Sequence, residues 1–399
     1  GMGIKMKILF IVNVNNNEKG GLFYATHNRI KETIRILGKN SVKVFSINFY
    51  DNSIIASVKK ILNKNINKKS KSHIQIEGIN YENIYIKNTI TKKLSIKFGI
   101  DKWIYNSIIK KYNFQNIDIV SAHWGSPQGS LAYYIKQKNN IPYVLTLHGS
   151  DVHTIPRFDK IFRKFLLRNM NNSDGIFFVS KQLKNEAEKL GWNDIHNKSH
   201  ISYNSIDKRV FYKLSENEIS LFKREENLRK YVVGFVGNLI EIKRAHFLIK
   251  IFKEIYIQGK GEITFYIIGD GPLKNRLEDE AKYEEIDVRF IKNVDQKELN
   301  IYYNLMDCLI VPSVNEGLGN VVLEAQSCGT PVIATNTGGL PEVISNKSFL
   351  VNNKDETIIN EIADKVLKVL KEEIKINSRN TSWYETVGNE IKVFEEILN

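Results

Sequence analysis

The sequence predicts an α/β protein with two doubly wound parallel sheets. Short apolar segments alternate with amphipathic helical segments in both halves of the chain, which is the pattern of repeated strand–helix units. The pattern restarts near residue 231, after a polar stretch. The chain is 399 residues long, which exceeds what one hydrophobic core usually supports, so two domains are expected.

The first half opens with one complete strand–turn–helix unit. An apolar strand is predicted at 7–14, followed by a polar loop at 15–21 and an amphipathic helix at 22–37. Later apolar runs predict further strands of the same domain at 117–123, 142–148, 175–180 and 200–204.

The second half repeats this arrangement. Strands are predicted at 231–237, 263–269, 308–313 and 329–334, with a helix at 245–256 after the first of them. The polar, charged segment 208–229 is the predicted linker. The domains are therefore expected at 1–207 and 208–381, and the segment from 382 to 399 has the periodicity of a helix.

Composition excludes several classes of protein. No apolar run approaches the ~20 residues of a membrane-spanning helix, and the run at 8–12 is too short for a secretory signal, so we expect a cytoplasmic protein. The two cysteines, Cys308 and Cys328, have no histidines at metal-binding spacing. They predict neither a disulfide framework nor a zinc site, and both are expected in the core.

Positive charge is concentrated in the first half. Residues 1–200 hold 32 Lys and Arg against 13 Asp and Glu, whereas residues 201–399 carry a small net negative charge. This asymmetry favours an anionic membrane surface as partner. Nucleic acid is the weaker choice because no recognisable reader motif is present, and a solvated loop is the alternative. The basic residues form two groups: Lys59, Lys60, Lys64, Lys68, Lys69 and Lys71, then Arg157, Lys160, Arg163, Lys164 and Arg168.

Two glutamates eight residues apart form the most informative segment. Glu316 lies in a glycine-containing turn after the strand at 308–313, and Glu324 lies about one and a half turns into the following helix. Ligands of α/β sheets bind at the carboxyl ends of strands, and a helix N-terminus favours phosphate. Glu324 is placed to accept hydrogen bonds from a ribose diol and Glu316 to meet sugar hydroxyls; two solvated acids are the alternative.

Other predicted strands also end in polar residues. Lys243 follows the strand at 231–237 and could balance the charge of a diphosphate, and the segment 269–272 forms a tight turn at the same edge of the sheet. In the first domain, His148 and Asp151 follow a strand, as do Gly20 and Gly21. The alternative for His148 is a hydrogen-bonded core histidine.

Together these segments resemble the family 4 glycosyltransferases of the GT-B fold, over residues 7–398. The resemblance implies two Rossmann-like domains that face each other across a cleft. It places the sugar nucleotide on the C-terminal domain and the acceptor on the N-terminal domain. Residues 203–207 resemble the family's interdomain segment, and the helix from 382 is expected to return to the first domain.

The resemblance also implies roles for individual residues. Catalysis is expected from His148, Glu316 and Lys243. Donor binding is expected from Asn238, Lys243, Arg244, Asp270, Gly271, Pro272, Asn293, Val294, Glu316, Gly317, Leu318, Gly319, Asn320, Val321 and Glu324. The acceptor site or the cleft is expected to include Gly20, Gly21, His123, Asp151 and Asn204.

The chain departs from the family pattern at four of these positions. Asn238 stands where arginine is common, which removes one cation from the diphosphate. Arg244 replaces a frequent glycine and could restore that charge or face solvent. Leu318 stands where phenylalanine is frequent, and Asn320 where the family varies with its donor. The identity of the donor therefore stays open.

The family resemblance implies a retaining reaction without a divalent metal. None of the fifteen aspartates begins the Asp-x-Asp motif with which metal-dependent transferases hold a diphosphate. We expect a glycosyltransferase with no cofactor that uses a UDP- or GDP-sugar and a lipid-linked saccharide in capsule or lipopolysaccharide synthesis. It would be peripheral on the inner membrane face. A sugar-nucleotide epimerase and a non-catalytic nucleotide-sugar or polysaccharide binding protein are the alternatives.

Overall fold

The chain forms two compact units. The computed structural model describes residues 6–14, 20–61, 66–69, 71–89, 101–259, 261–292, 294–372 and 381–399. One unit comprises Gly1–Asn204 with Trp383–Asn399, and the other comprises Ser205–Ser382. The first stretch of the first unit thus ends at 204, slightly before the expected boundary at 207.

The first unit is built on an eight-stranded sheet. Its strands are β1 (Ile8–Val12), β2 (Val42–Asp51), β3 (His73–Ile76), β4 (Ile79–Asn88), β5 (Ile119–His123), β6 (Tyr143–Leu147), β7 (Gly175–Phe178) and β8 (Ser199–Ile201). The order is β3-β4-β2-β1-β5-β6-β7-β8, and all neighbours are parallel except β3 and β4. Strand order therefore reverses between β1 and β5.

Eight helices follow in the first stretch of this unit. They are α1 (Gly21–Leu37), α2 (Ser53–Ile61), α3 (Lys102–Ile109), α4 (Gln128–Asn139), α5 (Ser150–His153), α6 (Ile155–Phe158), α7 (Lys160–Asn172) and α8 (Lys181–Lys189) among the described residues.

The sheet differs from the prediction between residues 42 and 88. Sequence analysis placed no strand there, yet β2, β3 and β4 occupy about half of this range, and β3 is antiparallel to β4. The many Lys and Asn residues obscured the apolar pattern. The β3–β4 turn places Glu77 and Gly78 at φ values of 48° and 79°, and glycine adopts that region at no steric cost.

The last helix, α16 (Trp383–Leu398), belongs to the core of the first unit. Its residues Trp383, Val387, Ile391 and Phe394 join the buried apolar cluster that contains Ile8 and other residues of β1. Burial of these side chains at roughly 1.5–3 kcal/mol each holds the helix in place.

A buried ion pair reinforces this attachment. The fully buried Arg29 of α1 donates from Nε to Glu390 of α16 at 2.9 Å. It also donates to the Asn204 side chain at 2.7 Å and to the Ser202 carbonyl at 3.2 Å, and it lies 5.0 Å from the Trp383 ring centroid. A buried charge needs such partners because removing one leaves the other uncompensated.

The second unit contains a six-stranded, fully parallel sheet. Its strands are β9 (Tyr231–Val236), β10 (Ile263–Ile268), β11 (Val288–Ile291), β12 (Cys308–Val311), β13 (Val332–Thr335) and β14 (Leu350–Val351). The order is β11-β10-β9-β12-β13-β14, so the chain reverses direction across the sheet between β9 and β12. Both cysteines are free and buried, as predicted.

The helices of the second unit include one in the predicted linker. They are α9 (Glu216–Glu225), α10 (Leu248–Gln258), α11 (Lys274–Tyr283), α12 (Gln296–Leu305), α13 (Asn320–Ser327), α14 (Leu340–Val343) and α15 (Ile358–Lys371). Helix α9 begins with a capping box formed by Ser215 and Glu218. The Leu214 N–H donates to the Asn304 side chain of α12 at 2.8 Å. Much of the segment 208–229 is therefore part of the second unit. The linker was predicted there because the residues of α9 are mostly polar and exposed.

Candidate active site

The reversal point of the second sheet brings two predicted site residues together. Lys243 lies in the loop after β9, and Glu316 lies in the loop after β12, the neighbouring strand. The Val314 N–H donates to the Ile242 carbonyl at 2.8 Å, which ties these loops to each other. Open α/β sheets bind ligands at such a reversal point.

Lys243 and Glu316 form an ion pair through the lysine ammonium and Glu316 Oε1. Ser313 Oγ donates to the same carboxylate oxygen at 2.9 Å. The two side chains are 25% and 13% exposed, so the pair is shielded but reachable from solvent. An ammonium has three N–H groups, and one carboxylate does not use them all.

A glycine turn after β13 supports the Glu316 loop. The Gly339 N–H donates to the Glu316 carbonyl at 3.0 Å. A Cβ on Gly338, whose φ is 54°, would clash with that carbonyl, so only glycine fits this close approach. Sequence analysis missed this support, although the Thr337-Gly338-Gly339 segment directly after a strand is a recognisable signal.

Glu324 lies inside α13, whose N-terminus follows the Glu316 loop. Gly319 precedes the helix at φ 92° and provides no side-chain cap. The Tyr303 hydroxyl of α12 donates to Glu324 Oε2 at 2.8 Å. Burial raises the pKa of Glu324 to about 7, although the Tyr303 hydrogen bond opposes the rise. Tyr303, which sequence analysis missed, thus fixes one oxygen of this carboxyl group.

A second glycine turn lies against the loop after β9. Gly271 has φ 158°, and a Cβ there would clash with the carbonyl of Leu239. The Leu239 N–H donates to the Asp270 carbonyl at 2.9 Å. The Asp270 carboxylate accepts from the Gly271 N–H at 2.9 Å and lies 3.3 Å from Lys292; these contacts lower its pKa. The turn at 269–272 therefore meets the loop that leads to Lys243.

In the first unit, His123 and His148 form a stacked pair at the ends of β5 and β6. Their ring centroids are 5.3 Å apart, and His123 Nδ1 lies 3.1 Å from His148 Nε2. Burial lowers the pKa of both rings well below the usual histidine value. The positive charge of Arg29 lowers the pKa of both rings further. The pair is therefore neutral at neutral pH, and one ring donates a hydrogen bond to the other.

Two family models match most of the chain. "Glycosyl transferases group 1" matches residues 216–385, and "Glycosyltransferase Family 4" matches residues 74–209. An uncharacterized glycosyltransferase of Methanocaldococcus jannaschii is 31% identical, with 79% of this chain and 86% of the relative covered. The chain belongs to glycosyltransferase family 4.

Further relatives of this glycosyltransferase come from surface-polysaccharide synthesis and from solved structures. A capsular polysaccharide biosynthesis glycosyltransferase of Staphylococcus aureus is 28% identical, with 65% of this chain and 67% of the relative covered. The crystal structure of Anabaena HepE in complex with UDP superposes with a TM-score of 0.69 at 16% identity, with 98% of each chain covered. These structural neighbours confirm the predicted GT-B fold.

Arg244 of the glycosyltransferase is held by acceptors within the second unit. Its side chain is buried and donates to Asp355 at 2.7 Å, to Asn353 at 2.7 Å and to the Pro312 carbonyl at 3.0 Å. The residue also adopts a left-handed backbone conformation, with φ at 49°. The solvent-facing alternative is therefore wrong, and the diphosphate contact stays a prediction. Arg244 instead braces the loop after β9 against the loop after β14.

Asp151 is fully buried beneath the His148 turn, where an acceptor contact was expected. Its carboxylate accepts from the backbone N–H groups of Gly149 at 2.8 Å, His148 at 3.2 Å and Gly125 at 3.2 Å. Burial raises the pKa of Asp151 to about 6, and these hydrogen bonds limit the rise. Asp151 therefore shapes the turn that presents His148.

Other predicted acceptor residues also lie in different environments. Asn204 is buried and bound to Arg29, which gives it a role in holding α16. Gly20 and Gly21 are exposed at the start of α1. His123 is buried behind His148.

Among the remaining predicted donor residues, Asn238, Asp270 and Pro272 are exposed, whereas Leu318 is buried. Asn293 lies outside the described residues. Within the described ranges, no helix is long and apolar enough to span a membrane.

Proposed function

We propose that this glycosyltransferase transfers a sugar from a UDP- or GDP-sugar to a lipid-linked saccharide during assembly of a bacterial surface polysaccharide. The observation that carries the donor half of this proposal is the Lys243–Glu316 pair at the reversal point of the second sheet. It sets a cation and a carboxylate side by side next to a helix N-terminus, which suits a diphosphate joined to a sugar.

The donor would rearrange this ion pair. A diphosphate carries more negative charge than one carboxylate, so it draws the Lys243 ammonium toward the leaving group. Glu316 then has an oxygen available for sugar hydroxyls, while Ser313 keeps hold of the carboxylate. Glu324 would take the ribose hydroxyls, with Tyr303 fixing its other oxygen. Each group has a partner before and after the donor binds.

His148 is assigned a catalytic role because its neutral ring can hydrogen-bond to the transferred sugar without adding a positive charge. The stacked His123 ring holds one nitrogen of His148, and Asp151 fixes the backbone on which it stands. Retention of configuration follows from the family resemblance. The acceptor hydroxyl would attack on the face that the diphosphate leaves, and a donor phosphate oxygen would take its proton.

The acceptor half of the proposal rests on one relative and on the charge of the first half of the chain. A relative named for capsular polysaccharide synthesis supports a saccharide acceptor. The excess of Lys and Arg in residues 1–200 supports a lipid-linked one, because an anionic membrane or lipid diphosphate would be attracted to it.

Nucleotide binding gives the direct test. Thermal shifts with UDP, GDP, ADP and their sugars should single out one base, since a ligand at one hundred times its dissociation constant stabilises by about 2.7 kcal/mol. The anomeric configuration of the product, read by NMR, then tests retention.

Activity should persist in excess EDTA, because Lys243 and the α13 N-terminus would neutralise the negative charge of the leaving group. Failure to bind any of these nucleotides would refute the proposed donor chemistry, and loss in EDTA with rescue by magnesium or manganese would refute metal independence.

A further inference from the structure

A basic surface with an outward-facing aromatic ring follows the His148 turn. We define the α6–α7 surface by the side chains of Arg157, Phe158, Lys160, Arg163 and Lys164. Phe158 is 86% exposed, although most large apolar side chains of the first unit are buried. A single exposed ring is common on protein surfaces, so a binding role for Phe158 depends on the exposed cations in the same segment.

The backbone holds Phe158 outward. Asp159 caps α7 by accepting from the N–H groups of Ile161 and Phe162, both at 2.9 Å. On the other side of Phe158, Arg157 forms an ion pair with Glu186 of α8. The ring is therefore fixed at a corner between two anchored helices, and its exposure results from the fold.

Exposed cations lie in the same segment as the ring. Residues 157–168 contain five Lys and Arg and one acidic residue, Asp159, whose carboxylate serves as the helix cap. Arg157 and Arg168 are paired with Glu186 and Asp101, so the excess rests on the other three cations. Lys160, Arg163 and Lys164 are exposed on α7, while the opposite face of this helix is buried in the first unit. Among the described residues, Lys160 and Lys164 form no ion pair, so their charges are available to a partner.

We propose that the α6–α7 surface docks on an anionic phospholipid bilayer, with Phe158 inserted at the boundary of headgroups and acyl chains. An exposed aromatic ring beside exposed lysines and an arginine in one segment combines apolar insertion with attraction to lipid phosphates. An acidic protein surface would match the charges but would leave the protruding ring without a reason. The inference rests on the proposed function in one respect, because a lipid-linked acceptor would explain why this surface binds a membrane. Helices α5, α6 and α7 directly follow the end of β6, where His148 lies.

One lysine of the group at 59–71 is engaged inside the first unit, whereas Lys60, Lys68, Lys69 and Lys71 are exposed. Lys59 is paired at 2.7 Å with the buried carboxylate of Asp51. Burial alone would raise the pKa of Asp51, but the hydrogen bonds from Lys59, Asn67 and Asn88 lower this pKa to about 2. Lys59 is thus committed inside the first unit, and Lys64 lies outside the described residues.

Vesicle sedimentation tests the proposal. The full-length protein should bind phosphatidylglycerol-containing vesicles at low salt, and either Phe158→Ser or Lys160→Gln with Lys164→Gln should reduce this binding roughly tenfold or more. Tyr283→Ser is the matched control, because Tyr283 is 85% exposed on α11 of the second unit. The control should bind vesicles like the parent protein. Equal binding by the Phe158→Ser variant, or no binding by the parent, would overturn the assignment.

A second measurement reports insertion directly. Both native cysteines are buried, so Phe158→Cys and Tyr283→Cys can each be labelled selectively with a polarity-sensitive dye. Anionic vesicles should shift the emission of the dye at 158 to the blue and leave the dye at 283 unchanged. The parent protein could instead self-associate without binding vesicles, and Phe158→Ser could abolish this self-association. That result would assign the surface to contact with a second copy and refute membrane docking. Nucleotide affinity and transfer to a detergent-dispersed acceptor should survive Phe158→Ser. If these activities are absent from the parent protein, the proposed function fails instead.

Discussion

Replacing Glu324 by glutamine should stabilise the protein at neutral and higher pH while weakening nucleotide binding. Glu324 is half-buried on α13 and accepts a hydrogen bond from Tyr303, and its removal from water raises the pKa of the carboxyl group from 4.5 to about 7. A difference of one pKa unit corresponds to about 1.4 kcal/mol, so the folded state resists ionisation of Glu324 by up to about 3 kcal/mol. Glutamine keeps the shape and cannot ionise.

The direction of the pH dependence follows from the raised pKa. The folded protein holds the proton of Glu324 more tightly than the unfolded chain does, because the folded-state pKa is the higher one. This contribution to stability is fully present below about pH 4.5 and is lost as the pH rises through about 7. Relative to Glu324→Gln, the parent protein should therefore lose up to about 3 kcal/mol between pH 5 and pH 8.

Urea unfolding of both proteins at pH 5 and pH 8 measures this difference. Glu254→Gln, on α10 of the same unit, controls for the loss of one negative charge. If the parent and Glu324→Gln show the same pH dependence, Glu324 is not held in a buried environment and the reasoning fails. Calorimetry should also show that Glu324→Gln binds nucleotide about 1.5–3 kcal/mol more weakly at pH 8, since a charged hydrogen bond to ribose is lost.

Three further substitutions test the remaining parts of the site. Lys243→Ala should weaken nucleotide binding by about 1.5–3 kcal/mol in calorimetry with an unchanged fold by circular dichroism, and unchanged affinity would remove Lys243 from the donor site. His148→Ala should lower kcat and kcat/KM together and leave nucleotide affinity unaltered, whereas unfolding would mark His148 as a core residue. Asp151→Ala should lower the free energy of unfolding by roughly 3 kcal/mol or more, because three backbone N–H groups lose their acceptor; a loss below 1 kcal/mol, measured in urea, would contradict this role.

Sequence reasoning succeeded where apolar periodicity and strand-end chemistry agreed. The strand at 308–311, the glycine turn after it and the helix that carries Glu324 follow from local pattern, and the parallel order of strands then places Lys243 beside Glu316. The same approach failed for β2, β3 and β4, where Lys and Asn dilute the apolar pattern. It also failed for α9, which has a polar surface and was therefore predicted as a linker.

Side-chain partners could not be read from the sequence because they depend on residues far apart in the chain. The side-chain acceptors of Arg244 include Asn353 and Asp355, more than one hundred positions away, which no local pattern indicates. Asp151 was expected at an acceptor, yet its burial follows from how the turn after β6 folds back. Tyr303 is one of eighteen tyrosines, and only the packing of α12 against α13 distinguishes it.

The attachment of α16 has a consequence for how the protein is made. The first unit is translated early, but Arg29 meets Glu390, and the β1 core meets Phe394, only after the ribosome has synthesised the entire second unit. Until then, the nascent first unit exposes an apolar groove and a guanidinium that lacks its carboxylate partner. Chaperone binding to the nascent chain is therefore expected to persist until α16 has emerged from the ribosome, and the two units cannot be produced separately by a single cut at residue 204.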